Sequence, residues 1–138
     1  MKTILLTFIA ATTLSGCYLF GQNNLIPLDK ELSTVEYPYP VSFFGFHSQN
    51  QPMRMAYMDV KPENYNGKNI VLLHGKNFNG AYWQETISAL AQKGYRVVVP
   101  DQVGFGKSTK PEHYQYSFHQ LATNTKNLLD KLGLKKVS

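Results

Sequence analysis

The sequence predicts an α/β domain, in which helices pack against a sheet that contains parallel strands. Strand and helix patterns alternate along residues 70–132, as they do in proteins with parallel sheets. The run Ile70–Leu73 is wholly apolar and the run Tyr95–Val99 is rich in valine, which is typical of parallel strands buried on both faces. A helical pattern lies between the two runs and supplies the crossover that a parallel pair requires.

Two further strands precede this unit. Val41–His47 and Met53–Val60 are rich in aromatic and apolar residues, and the polar residues 48–51 between them predict a hairpin. Residues 62–68 predict a loop, because they contain proline, asparagine and glycine. Residues 135–138 are similar to the start of another strand. The predicted order is therefore β-β-β-α-β-α, with a further strand beginning where the sequence ends.

The two helices have recognisable ends. The first begins after Asn79, a common N-cap residue, and ends at Gly94. Ser117 begins the second, which ends at Gly133, and Ser117 and Gln120 have the spacing of a capping box. The apolar face of the first helix contains Trp83, Ile87, Leu90 and Ala91. The residues expected on the buried side of the second are Phe118, Leu121, Ala122, Leu128, Leu129 and Leu132.

The N-terminus has the pattern of an export signal. Met1 and Lys2 place a positive charge first, and an apolar stretch of 11 residues, Ile4–Leu14, follows. This stretch ends in the small residues that precede Cys17, as at a processing site. It is shorter than the ~18 residues that a membrane-spanning helix needs.

The residues Leu14, Ser15, Gly16 and Cys17 resemble the lipobox of bacterial lipoproteins. The resemblance implies that the Cys17 thiol is joined to a diacylglycerol, that the chain is cut before it, and that acyl chains hold the protein at the membrane. Tyr18, in place of aspartate, resembles the pattern of outer-membrane sorting in bacteria with two membranes. A stray or buried thiol is the alternative, and it leaves the position of the only cysteine unexplained.

The chain is thus expected to have three parts. Residues 1–16 are the lipoprotein signal peptide, residues 17–40 are the lipidated cysteine and a tether, and residues 41–138 are a partial α/β domain. Pro27, Pro38 and Pro40 prevent a continuous helix in the tether. Location at the cell envelope, anchored through Cys17, is the expectation for the protein.

Composition excludes several function classes. Of the 138 residues 43% are hydrophobic and 13% aromatic, which is too apolar for a disordered chain. The net charge of +5 is scattered rather than clustered, so no nucleic-acid partner is expected. One cysteine excludes an internal disulfide and a cysteine-rich zinc site. The histidines lack metal-ligand spacing, and neither a metal nor another cofactor is expected.

Two turns carry the chemistry, one after each apolar strand. They are His74–Gly80, with the sequence HGKNFNG, and Asp101–Ser108, with the sequence DQVGFGKS. In α/β sheets, ligand-binding and catalytic residues lie beyond the carboxyl ends of the strands. The two turns, in this order and with one helix between them, resemble the N-terminal half of the α/β-hydrolase fold. The resemblance covers residues 41–138 and implies the sheet order 1-2-4-3-5-6-7-8.

The resemblance assigns roles to the first turn. In this family the amide that follows His-Gly donates to the oxyanion formed when a carbonyl is attacked, and this role falls on the backbone N–H of Lys76. Asn77 is the second candidate. Gly75 is expected to permit a sharp turn close to substrate. His74 is expected to brace the loop by hydrogen bonding, rather than to act as a general base.

The second turn is expected to be a support. Asp101 can bond backbone groups of its own loop, and Gly104 and Gly106 allow tight turning. The residues Gly106-Lys107-Ser108 resemble part of a phosphate loop. The required earlier glycine is absent, because position 101 is aspartate, and a proline loop rather than a helix follows.

The family's nucleophile lies on a strained turn after the fifth strand, and its acid and base follow. No Gly-x-Ser-x-Gly motif occurs in residues 1–138. The first interpretation is therefore a fragment of an anchored hydrolase of small ester-like, amide, epoxide or carbon–halogen substrates, itself inactive. A short lipoprotein that uses the half-fold as a binding or scaffolding module is the second, and an unrelated exported α/β domain is the third.

Loss of the fifth strand is also expected to affect folding. The run Ile70–Leu73 would become an exposed sheet edge, which invites pairing with other chains. The isolated chain is therefore predicted to be marginally stable and prone to aggregate. A cooperative melt of a monomer would contradict this prediction.

Overall fold

The computed structural model describes residues 27–138. The predicted signal peptide, the Cys17 lipidation site and the first part of the expected tether lie outside the described residues. Within 27–138, no helix is both long enough and apolar enough to cross a membrane.

The described residues form one mixed four-stranded sheet with helices. The order of strands across the sheet is β1-β2-β4-β3, as the family resemblance implied for the first four strands. β1 and β2 are antiparallel, β2 and β4 are antiparallel, and β4 and β3 are parallel. The strands are β1 (Val41–Ser48), β2 (Gln51–Val60), β3 (Asn69–Val71) and β4 (Arg96–Pro100). A 3₁₀ helix (Gly80–Trp83) leads into helix α1 (Gln84–Gln92), and helix α2 (Phe118–Lys131) follows β4.

The predicted hairpin is confirmed with a tighter turn. Ser48 pairs with Gln51, so that only Gln49 and Asn50 connect the strands. Both have positive φ, 49° and 59°, as in the two-residue turns whose twist matches that of the strands. The backbone conformation of these two polar residues therefore fixes the register of β1 against β2.

The two apolar runs differ in burial. Val97, Val98 and Val99 of β4 are almost completely buried, as predicted. β3 ends at Val71 and is only half-buried, and Leu73 is 51% exposed. The prediction that Ile70–Leu73 is a strand buried on both faces is therefore wrong at its end, because β3 lies at the edge of the sheet and the last bond to β4 is donated by the Leu72 N–H, to the Val98 carbonyl at 3.0 Å.

The last residues lie beside the outer edge of β3. The Ser138 N–H donates to the Asn69 carbonyl at 3.1 Å, and the Val71 N–H donates to the Ser138 carbonyl at 2.9 Å. This pair of bonds is the pattern of a parallel ladder. It agrees with the prediction that residues 135–138 begin a further strand.

Helix α1 follows the prediction closely. The Asn79 side chain accepts from the Ala81 N–H at 3.0 Å, so it caps the 3₁₀ helix that precedes α1. Ile87 is completely buried against Met58, Val97 and Val99, and Trp83 and Leu90 pack on the same cluster. The helix therefore covers one face of the sheet with the residues that its periodicity indicated.

Helix α2 departs from the prediction on its buried side. Ser117 does cap the Gln120 N–H, at 3.1 Å, but the Gln120 side chain bonds Asn124 instead of closing a capping box. Phe118 is 90% exposed and Ala122 is exposed, so both were wrongly placed in the core. Asn124 and Thr125 are buried in their place.

Hydrogen bonds make this polar burial favourable. The Asn124 amide donates to the Tyr114 hydroxyl at 3.1 Å, and the Gln102 amide donates to the Thr125 hydroxyl at 3.0 Å. Buried polar groups with partners cost little free energy, whereas unpaired ones are expensive. The buried face of α2 therefore includes these two polar residues and differs from the face that the apolar pattern predicts.

The segment immediately before β1 lies against the domain. Tyr37 and Tyr39 pack on the apolar cluster of Met58, Val97 and Val99. The Lys107 ammonium donates to the Leu32 carbonyl at 2.7 Å. The expectation of a tether up to residue 40 is therefore wrong for its last residues, because aromatic side chains there find an apolar surface to cover.

Candidate active site

The two predicted turns meet beyond the carboxyl ends of β3 and β4. The backbone N–H of Gln102 donates to His74 Nε2 at 2.9 Å, so one direct bond joins them. Because β3 and β4 are parallel neighbours, their carboxyl ends necessarily reach the same edge of the sheet. The sheet thus brings together residues that are 28 positions apart in the sequence.

His74 acts as a brace through both ring nitrogens. Nε2 must be an acceptor, because its partner is an amide N–H, and Nδ1 lies 2.9 Å from the Gly75 carbonyl, which can only accept. These two contacts match the tautomer that carries its proton on Nδ1. The edge-on packing of the ring with Phe105, at 5.5 Å between ring centres, holds it further. With Nε2 occupied, the ring has no free basic nitrogen for substrate.

The amides of Lys76 and Asn77 take no part in the hydrogen bonds of their own turn. Within residues 27–138, neither N–H has a hydrogen-bond acceptor, whereas the Phe78 N–H closes the turn onto the Gly75 carbonyl at 3.2 Å. Asn77 has φ +68°, and Gly75 has no positive φ. The left-handed residue is therefore Asn77 and not Gly75, which corrects the expected origin of the sharp turn. Asparagine tolerates this conformation better than most residues.

Asp101 holds the second turn and the start of the 3₁₀ helix. Its carboxylate is buried and accepts from the Gly80 N–H at 2.6 Å, the Lys107 N–H at 2.7 Å and the Tyr37 hydroxyl at 2.7 Å. Burial, and next the bond to Asp101, raise the pKa of Tyr37 far above its usual value, so Tyr37 remains a donor. The carboxylate thus joins three segments of the chain.

The two glycines of the second turn are required by their neighbours. Gly106 has φ +51°, and a Cβ there would collide with the Asp101 carboxylate. Gly104 has φ +96°, and a Cβ there would lie 2.7 Å from the Tyr116 hydroxyl. Both positions therefore combine a left-handed backbone with a close approach of another group, and only glycine fits.

A cavity of about 630 Å³ opens between the turns and α2. The turn after β3 contributes His74, Gly75 and Lys76 to its lining, and the turn after β4 contributes Gln102, Gly104 and Phe105. The rest of the lining comes from Tyr116 and from the α2 residues Phe118 and Leu121. Burial raises the pKa of the Tyr116 hydroxyl, which therefore stays neutral near pH 7. The lining is mainly apolar, and Lys76 carries its only charged side chain.

This arrangement suits a reaction that develops negative charge on an uncharged substrate. Two unoccupied amide donors and an apolar cavity are the parts that stabilise an oxyanion away from water. In the part of the chain that the structure describes, no three His, Cys, Asp or Glu side chains come together as metal ligands.

Sequence analysis missed three contributors to this region. Tyr37 was assigned to a tether, Phe118 to the core of the domain, and Gln102 had no role. The sequence does not show that the start of α2 is exposed, because Phe118 fits the apolar pattern of a buried helix face equally well.

The two aromatic residues after the turn differ in burial. Tyr82 is 67% exposed beside Phe78, whereas Trp83 packs into the core as expected.

Comparison with known proteins agrees with the geometry. The sequence model of the alpha/beta hydrolase fold matches residues 68–138. A crystal structure titled a "probable hydrolytic enzyme" of Pseudomonas aeruginosa PAO1 is 54% identical, with a TM-score of 0.78 over 79% of this chain and 35% of that chain. A haloalkane dehalogenase of Mycolicibacterium paratuberculosis is 36% identical over 88 residues, which are 61% of this chain and 29% of that protein. Epoxide hydrolase A of Mycobacterium tuberculosis is 38% identical over 68 residues, which are 49% of this chain and 21% of that protein. The chain thus spans less than a third of the length of these curated relatives.

Proposed function

The chain belongs to the α/β-hydrolase fold family, and we propose that it is the N-terminal part of an exported, membrane-anchored hydrolase. The observation that carries the proposal is the turn after β3, where Lys76, whose amide has no acceptor within residues 27–138, lines an apolar cavity and is followed by the equally unbonded amide of Asn77. Lys76 contributes its backbone N–H as the first oxyanion donor, and Asn77 is the alternative. Each such donor typically contributes about 3 kcal/mol to transition-state stabilisation.

The substrate of the proposed enzyme is a small ester-like or related molecule without a positive charge. Phe105, Tyr116, Phe118 and Leu121 offer an apolar surface to its carbon chain. A cationic group there would lose its hydration without gaining an opposite charge, because the only charged side chain of the described lining is that of Lys76. The dehalogenase and the epoxide hydrolase among the relatives support carbon–halogen bonds and epoxides as alternatives to esters.

The nucleophile, acid and base come, in this proposal, from polypeptide beyond the matched part. The relatives are about three to five times longer than the segment they share with this chain. The bonds of Ser138 to β3 support a further parallel strand at this edge of the sheet, as the family has before its nucleophile turn. Residues 41–138 alone are then the support and oxyanion half of the site.

Export and anchoring are the remaining parts of the proposal. The apolar stretch Ile4–Leu14 and the lipobox-like residues before Cys17 support them. Residues 1–16 would be removed, and Cys17 would carry the lipid. The packing of residues 31–39 on the domain then leaves the residues between Cys17 and Glu31 as the spacer to the membrane.

The first experiment is to sequence the transcript through codon 138. We expect a continuation into a strand and a turn of the type Gly-x-Ser-x-Gly or Gly-x-Asp, whose central residue names the chemistry. A stop codon with no continuation in any frame would exclude triad hydrolysis and favour the non-catalytic binding module.

The second experiment tests the oxyanion turn in the complete protein. Hydrolysis of short-chain esters, epoxides and haloalkanes is measured for the native protein and for Lys76→Pro, which removes the amide, with Lys76→Ala as the matched control that keeps it. We expect Lys76→Pro to lower kcat about 10²- to 10³-fold and Lys76→Ala to leave it near the native value. Equal losses in the two variants would contradict an amide role.

Anchoring is tested by Cys17→Ser. The native protein should incorporate radiolabelled palmitate and sediment with membranes, and the variant should do neither. A native protein that stays in the cytosolic fraction would contradict the proposed location.

A further inference from the structure

The segment before β1 contacts the turn after β4 directly. We call residues 29–40 the N-terminal segment. Its contacts with the turn after β4 are made at Tyr37, whose hydroxyl donates to Asp101 at 2.7 Å, and at Leu32, whose carbonyl accepts from the Lys107 ammonium at 2.7 Å. The Lys107 ammonium also lies 5.2 Å from the centre of the Tyr37 ring.

The bond from Tyr37 continues to the turn after β3. Asp101 Oδ2 accepts from Tyr37, and Oδ1 of the same carboxylate accepts from the Gly80 N–H at 2.6 Å. Gly80 is the last residue of the turn His74–Gly80. The carboxylate is planar, buried and bonded on both oxygens, so a displacement of the Tyr37 hydroxyl would also displace the acceptor of the Gly80 N–H.

The packing around Gly80 leaves this contact little freedom. A Cβ at Gly80 would lie 3.2 Å from Asp101 Oδ1, 3.2 Å from a methyl of Val99 and 3.3 Å from the terminal methyl of Met58. The backbone at Gly80 is thus held between the carboxylate and the β2–β4 core. A shift of the carboxylate would move the end of the turn that carries the Lys76 and Asn77 amides.

We propose that Tyr37 is a positioning residue for the turn after β3, acting through Asp101 on Gly80, so that the N-terminal segment is part of the support of the site. The description of that turn as an oxyanion turn rests on the proposed function. The coupling from Tyr37 to Gly80 rests only on the contacts above.

The test is amide hydrogen exchange by NMR on the whole chain, comparing the native protein with Tyr37→Phe. The matched control is Tyr65→Phe, which removes a tyrosine hydroxyl that donates to Asn69 at 2.8 Å on the exposed surface. We expect the Gly80 and Lys107 amides of Tyr37→Phe to exchange about tenfold faster, while the amides of β4 change little. Tyr65→Phe should leave all of these amides at the native rate.

A merely structural role gives different results. If β4, Gly80 and Lys107 all accelerate by one factor, Tyr37 supports global stability and the proposal is wrong. Unchanged Gly80 exchange overturns it too, as does a Tyr37→Phe chain that fails to fold while Tyr65→Phe folds. Because exchange requires no turnover, a failed positioning test and a failed activity assay remain separate results. In the active complete protein, Tyr37→Phe should lower kcat with little change in KM.

Discussion

The turn after β4 and the turn after β3 leave the same edge of the sheet and use their backbone amides differently. In the turn after β4, six of the eight amides of residues 102–109 donate to identified acceptors, and within residues 27–138 only those of Val103 and Gly106 do not. In the turn after β3, the amides of Lys76 and Asn77 donate to none within residues 27–138. The turn after β4 is also largely buried, whereas residues 75–78 in the turn after β3 are exposed.

The difference shows how a loop can be a support or a site. A turn whose amides are mostly bonded within the protein is held firmly and leaves few backbone donors for a ligand. A turn with open donors can bind a ligand, but it needs an external support to keep the donors aligned. His74 and Asp101 provide that support by bonding across the two turns. Changes in the support should therefore reduce stability, and changes in the exposed turn should not.

Removal of the Asp101 carboxylate should have the largest effect. Asp101→Ala leaves the Gly80 and Lys107 amides and the Tyr37 hydroxyl without their acceptor, and should lower the free energy of unfolding by about 3–5 kcal/mol. Urea unfolding followed by circular dichroism measures it. Asp130→Ala, which removes only an exposed i,i+4 pair with Lys126, should cost under about 0.5 kcal/mol. Similar losses in the two variants would contradict the supporting role.

A Cβ at Gly106 should have the next largest effect. Gly106→Ala combines positive φ with a collision against the Asp101 carboxylate, and we expect a loss of about 2–3 kcal/mol. Gly45→Ala is the matched control, because a Cβ there has no neighbour within 4 Å. The same urea titration compares them. A loss in Gly106→Ala no greater than in Gly45→Ala would show that the second turn is not tightly packed.

Tyr37 should make the stability fall at alkaline pH. Its pKa in the folded chain is raised above the value of 10.0 for a free tyrosine, so the folded state holds the proton more tightly than the unfolded state. This contribution is complete below pH 10 and is lost as the pH rises above it. Between pH 9 and pH 11, native protein should lose about 1 kcal/mol more than Tyr37→Phe. Parallel stability curves for the two proteins would show that Tyr37 has no raised pKa.

The Lys76 side chain should have the smallest effect. It is exposed, and the predicted function uses only its backbone. Lys76→Ala should change the free energy of unfolding by less than about 0.5 kcal/mol. A loss above 1 kcal/mol in thermal or urea unfolding would mean that the exposed turn contributes to the support as well.

Much of the fold could be predicted from the sequence, because the signals were local. The valines of β4 predict a buried strand, Asn79 and Ser117 predict helix starts, and the polar residues after Ser48 predict a hairpin. The errors occurred where distant partners decide burial. Asn124 and Thr125 are buried because Tyr114 and Gln102 bond them, and no local pattern indicates those partners.

The candidate site divides in the same way. Local motifs identified the two turns, and the positions of Gly104 and Gly106 followed from turn chemistry. The lining from Phe118 and Leu121 and the bond from Tyr37 did not follow, because these residues come from segments far away in the sequence. A pattern of apolar residues in α2 could not distinguish a core side chain from one beside a cavity.

The sequence by itself determined which segments become strands, helices and turns, and it placed the two motif turns after β3 and β4. Periodicity, caps and positive-φ residues act within a few positions of the chain, so they are readable there. The tertiary structure alone decided that Tyr37 reaches Asp101, that Asp101 holds Gly80, and that Asn77 rather than Gly75 takes the left-handed backbone. These outcomes depend on contacts between residues that are far apart in the sequence, and such contacts form only when the chain folds.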